Sequence, residues 1–191
     1  MRESVRLRLM KHYILAGSLV FLFNHLSFGQ QHYAGGVVYG AKAAFNIAAP
    51  DGWVLDNESG QQQGFVCVLY PKGESWAKGR TVMYAEIADV EDVNAFVAKA
   101  IKEMAKEHGK PKEKIASGKT KDGHAYFINE YPATKNYSQW ERVGYVQLPH
   151  GVGYIVLSSH DKASYQKDSG ALQDVLKSLF YLKPKFEGKP E

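Results

Sequence analysis

Beyond residue 29 the chain carries five histidines, His32, His108, His124, His150 and His160. No two of them, and no histidine with a cysteine or acid, stand at the spacing of a metal motif such as His-Glu-x-x-His. His124, His150 and His160 fall at the ends of predicted strands, where separate strands can bring residues together. They define the one enzyme reading open to this chain, a secreted hydrolase or metal-dependent enzyme. Ser158-Ser159-His160-Asp161 contains every residue type of a hydrolase triad. Consecutive strand residues point to opposite faces, so adjacency in sequence works against convergence in space. No Gly-x-Ser-x-Gly elbow supports it, and the reading is a polar strand end with Asp161 capping the next helix. Ala116-Ser-Gly-Lys-Thr120 imitates the end of a phosphate-binding loop, but Glu113 stands where the first glycine is needed. Lys121-Asp-Gly123 then turns the chain into a strand, not a helix, so this is a hairpin arm. Glu130 and Glu141 lie beside opposite ends of one loop and need not face each other. Cys67, within Phe65-Val-Cys-Val-Leu-Tyr70, is the only cysteine and reads as a small buried hydrophobe.

What remains is aromatic and cationic. Phe, Trp and Tyr make up 13% of the residues. Trp76 lies among Lys72, Lys78 and Arg80, while Trp140 follows Tyr137 and is flanked by Lys135 and Arg142. Exposed rings beside cations are typical of binding surfaces. Trp76, Arg80, Tyr137, Trp140 and Arg142 are therefore the candidate partner-binding residues, against the alternative that both indoles fold over the sheet edge as core. Trp53, after the Pro50-Asp-Gly52 turn, is expected to be a buried packing anchor. No catalytic, cofactor-binding or metal-ligating residue is assigned.

The elements that must position these residues centre on the stretch from His124 to Ser159. It reads as three strands, His124–Tyr131, Gln139–Leu148 and Gly153–Ser159, rich in aromatic and β-branched residues. Short links between them imply antiparallel pairing. Earlier strands are expected at Ala44–Ala48, Trp53–Leu55, Phe65–Tyr70 and Arg80–Ala88, and further short ones at Ile115–Thr120 and Phe180–Leu182. Asp89 is the expected cap of a helix whose Val93, Phe96, Val97, Ala100, Ile101 and Met104 form one apolar stripe. Gly109 and Pro111 end it. A second helix starts at Asp161 or Ser164 and carries Leu172, Val175, Leu176 and Leu179, with Gly170 as its weak point. The class is α+β, a central antiparallel sheet of about six strands flanked by helices.

The chain has 191 residues, 45% hydrophobic and 23% charged, which suits a single globular domain with short extensions. A sequence pI of about 9.0 invites a polyanion partner. However, residues 1–29 hold four of the 24 basic residues and one of the 20 acids. The remainder carries 20 against 19, a net of +1, and nucleic acid is not an expected partner. Those first residues read as a signal peptide: cationic start, apolar run Tyr13–Phe23, small residues Ser27 and Gly29, cleavage after Gly29. The run is about half of what a membrane crossing needs, so no stable span is expected after cleavage. Residues 30–43 read as a flexible lead-in, 44–183 as one α+β domain and 184–191 as a disordered tail. The expected location is secreted or periplasmic, and the expected partner a protein or small ligand of the envelope or the exterior.

Phe45-x-Ile47-x-x-Pro50-x-Gly52-Trp53, the long middle helix, the Tyr- and Trp-rich meander and the closing Ser178-Leu-Phe180 resemble the PsbP/Mog-like sandwich family. The likeness spans about residues 43 to 182. It implies an antiparallel sheet between helical layers and a binding or assembly role without catalysis, and it assigns no functional residue here.

Overall fold

The computed structural model describes residues 35–183. The expected leader and the tail from residue 184 lie outside the described residues. Within them the order is β1 (Gly36–Tyr39), β2 (Ala44–Ile47), β3 (Trp53–Asp56), β4 (Val68–Pro71) and β5 (Thr81–Ala88). Then come α1 (Val93–His108), β6 (Lys112–Lys119), β7 (Ala125–Tyr131), β8 (Trp140–Leu148) and β9 (Gly151–Ser159). The described chain closes with α2 (Lys162–Asp168), α3 (Ala171–Ser178) and β10 (Phe180–Leu182).

The three expected spine strands are β7, β8 and β9. They form the middle of a seven-stranded sheet of order β3-β4-β5-β9-β8-β7-β6, antiparallel throughout. Alternation along each strand gives this sheet two apolar faces. On one, Val93, Val97 and the half-buried Phe96 of α1 pack onto Val143, Tyr145, Val152 and Val156. On the other, Leu172, Val175, Leu176 and Leu179 close over Ile128, Val146, Ile155 and Leu157. Gly144 leaves the room Leu176 needs, for a Cβ there would meet Leu176 Cδ1 at 2.4 Å.

The architecture departs from expectation in several places. The central sheet has seven strands where about six were expected, and the described residues hold ten strands in all. Three belong to a second sheet, β1-β2-β10, whose inner residues Val38, Phe45, Ile47 and Tyr181 join the α3 core. Part of the expected flexible lead-in is strand β1, because Val38 has a core to enter once β2 is beside it. Strand β4 starts at Val68, later than the expected Phe65. The N-cap of α1 is Asp92, not Asp89: its carboxylate accepts from the amides of Asn94 and Ala95. The closing helix is two, broken at Gly170, with Asp161 capping the first through the Ser164 amide.

Cys67 is fully buried, and burial pushes its thiol up to about 12, with the Asp56 charge adding to the effect. That matches the inert-core reading. Trp53 is buried as a packing anchor, and Ala116–Lys119 lie on β6 as a hairpin arm.

Candidate functional site

Register places the ends of three central strands side by side. Thr81 opposes Ser159, and Ser159 opposes Trp140. One end of the large sheet is therefore built by the 72–80 loop, the 132–139 loop and the turn at 160–161. Hydrogen bonds to one carbonyl tie these together: that of Arg80 accepts from the His160 amide at 3.2 Å and from the Ser159 hydroxyl at 2.9 Å. Four of the five candidate residues, Arg80, Tyr137, Trp140 and Arg142, meet at this end. The strand ends hold their backbones on a rigid scaffold, as loop-borne binding residues require.

Strand parity then sends neighbours to opposite faces. Glu130 pairs across the ladder with Arg142, and Tyr131 with Glu141. On the α3 face Glu130 is nearly buried. It accepts from Lys112 Nζ at 2.8 Å, Arg142 Nη2 at 3.0 Å and the Tyr165 hydroxyl at 2.6 Å. Burial pushes its carboxyl up, but these three donors and the Arg142 charge overcome that and hold it at about 2. Tyr165 is pushed well above the usual phenol range by burial and by its bond to Glu130. The Trp140 ring lies 5.6 Å from that of Tyr165, and Lys162 Nζ stands 5.2 Å from the centre of the indole. Arg142 is thus committed to an internal ion pair. Trp140 is half-buried with a cation above it.

On the α1 face the same end holds a second polar cluster. His108, only 3% exposed, ends α1 with Nδ1 3.9 Å from Glu141 Oε2. Its ring centre is 3.9 Å from that of Tyr137 and 5.6 Å from that of Tyr131. The Tyr137 hydroxyl reaches Glu141 Oε1 at 2.7 Å, and the Ser158 hydroxyl donates to Gln139. Burial pulls the His108 imidazole below its usual range, with the neighbouring Glu107 charge opposing.

Trp76 is not a surface ring. It is 7% exposed, its Nε1–H donates to Gln63 at 3.0 Å, and Phe65 packs edge-on against it at 5.6 Å. The loop around it is cationic, but the indole points into a satellite core with Val68 and Tyr70. For this ring the core alternative holds.

The three strand-end histidines are not brought together. His150 and His160 flank opposite ends of β9, whose nine residues span roughly 30 Å. His124 sits in the β6–β7 turn, 3.6 Å from Asp122. Glu130 and Glu141 are on opposite faces. No group of three or more His, Cys, Asp or Glu side chains among the described residues could hold a metal ion.

Sequence reasoning missed Lys162, Tyr165 and the burial of His108. The Glu130–Arg142 pairing had a usable signal, since both residues flank the 132–139 loop on neighbouring antiparallel strands. Tyr165 had none, being fixed by the packing of α2.

These elements define an antiparallel α+β sandwich whose best-organised polar surface is one sheet end. No protein-family model and no curated protein matches the chain. Among solved structures, the solution structure of cyanobacterial PsbP (CyanoP) from Synechocystis aligns with a TM-score of 0.48 and 12% identity. The alignment covers 72% of this chain and 86% of that one. A likeness of this size assigns neither partner nor chemistry. No helix among the described residues is long and apolar enough to cross a membrane.

Proposed function

We propose that the chain is a secreted or periplasmic, non-catalytic binding or assembly module that engages a protein or small ligand through the 72–80, 132–139 and 160–161 end of its large sheet. The observation that carries this reading is the placement of Arg80 and Trp140 at one end of the neighbouring strands β5, β9 and β8, with Tyr137 in the loop that leads into β8. Exposed Arg80 and Lys162, with the half-buried Trp140 between α2 and the loops, make an amphipathic surface on a rigid base. The ion network of Glu130 beneath it holds strand ends and α2 in place. The leader-like first 29 residues support the location. The resemblance carried by Phe45, Ile47, Pro50, Gly52 and Trp53 supports an assembly role.

Residues 30–191 used as bait on the envelope fraction of the source cell test it. A species held by the wild-type chain and lost with Arg80→Glu and Lys162→Glu, at unchanged melting temperature, supports the reading. Equal capture by the reversed-charge variant overturns it.

A further inference from the structure

In the small sheet the inward residues Val38, Phe45, Ile47 and Tyr181 fill the core. Alternation sends their neighbours outward, where an antiparallel sheet with one solvated face ordinarily carries polar side chains. Here it does not. Register sets Val37, Asn46 and Phe180 in one row across the sheet, and Tyr39, Ala44 and Leu182 in the next. Of these six residues only Asn46 follows the rule. Val37 is 42% exposed, Tyr39 65% and Phe180 46%. They are three of the five exposed large hydrophobic residues among the described ones. Both faces of the large sheet and the inner face of the small one carry packed cores. The exposure of Val37, Tyr39 and Phe180 shows that no described element lies over the outer one.

Size and charge decide what fits there. An enclosed aromatic side chain buries roughly 150–250 Å², so at these exposures the whole face offers on the order of 400 Å². Two copies meeting face to face would bury about 800 Å² in total, short of the ~1,200 Å² at which stable protein interfaces begin. A bilayer sets no such minimum, since its affinity grows with buried apolar area and with cations near the headgroups. This face supplies both. Tyr39 joins an apolar ring to a hydroxyl suited to the wet level of the headgroups. Lys42, in the β1–β2 turn, and Lys183, just after β10, are exposed beside the row of Tyr39, Ala44 and Leu182. The carboxylates bonded to this sheet and its turn are taken up by backbone amides. Asp89 accepts from the Ala41 N–H at 3.4 Å, and Asp122 from the Tyr181 N–H at 2.7 Å.

We propose that the outer face of the β1-β2-β10 sheet is a membrane-surface contact. It seats Val37, Tyr39, Phe180 and Leu182 in the interface of a bilayer whose anionic headgroups face Lys42 and Lys183. The contact is peripheral and reversible, and it does not depend on the binding reading of the sheet end.

Residues 30–191, which contain every described element, should sediment with vesicles of equal parts phosphatidylglycerol and phosphatidylcholine, and far less with phosphatidylcholine alone. Tyr39→Ser combined with Phe180→Ser should cut the bound fraction roughly fivefold or more, and Lys42→Glu with Lys183→Glu should do the same. A second measurement needs no variant. A nitroxide-labelled lipid in bicelles of the same mixture should broaden the amide signals of Val37, Tyr39 and Phe180 and spare those of the 132–139 loop. No binding by the wild type, binding unchanged in either double variant, equal binding to the neutral vesicles, or broadening centred elsewhere would each overturn the proposal. So would a wild-type dimer in analytical ultracentrifugation that the serine variant splits, because the face would then be a contact between copies.

Discussion

Replacing Glu130 by Gln keeps its size and removes its charge, and the structure fixes what should be lost. The carboxylate lies at the junction of β7, β8 and α2 with Lys112, Arg142 and Tyr165 as donors. It titrates at about 2 in place of 4.5. The difference of about 2.5 in pKa, at about 1.4 kcal/mol each, comes to about 3.5 kcal/mol for the ionised form in the folded state before solvent screening. The Glu130 carboxylate is nearly buried but its partner Lys112 is exposed, so solvent screening brings this to about 3 kcal/mol. The folded-state value is depressed, so the contribution is present above about pH 4.5 and disappears as pH falls through about 2. Glu130→Gln should therefore lower stability by about 3 kcal/mol at pH 7, and the gap to wild type should shrink by more than half near pH 2.5. Urea unfolding of both chains at the two pH values measures it. A variant within about 0.5 kcal/mol of wild type at pH 7, or a gap unchanged in acid, would refute the reasoning.

Trp53→Ala and Trp76→Ala should each cost about 3–5 kcal/mol, since both indoles are buried. Thermal melts compare them with Trp140→Ala, whose half-buried ring should cost less. Cys67→Ala should cost roughly 1–2 kcal/mol as a small cavity in chemical unfolding. Its thiol should also resist alkylation at pH 8, because burial holds it at about 12.

The sequence made the spine legible because β7, β8 and β9 are long, rich in aromatic and β-branched residues and punctuated by turn residues. The α1 stripe was legible for the same reason at helical period. The small sheet was not, since Gly36–Tyr39 and Phe180–Leu182 acquire strand character only by flanking β2. The cap moved from Asp89 to Asp92 because two acids three apart offer equivalent caps and packing of Val93 decides between them. Trp76 shows the limit for sites. Its cationic neighbours are at the surface, yet a side chain can turn inward from an exposed loop, and sequence spacing does not record that choice. Arg142 was singled out for a partner and pairs instead with Glu130, a contact that register determines. His108 drew attention only as a helix-end cation, whereas the returning 132–139 loop encloses it.

The most direct test of the binding reading is site-specific photocrosslinking in the native envelope. A photoreactive residue placed at Lys78, Lys135 or His160, all exposed at the candidate end, should give a discrete adduct with the partner. The same residue at Lys121 or His150, exposed at the opposite end, should give none. Adducts formed at Lys121 or His150 and absent from the other three positions would contradict the account.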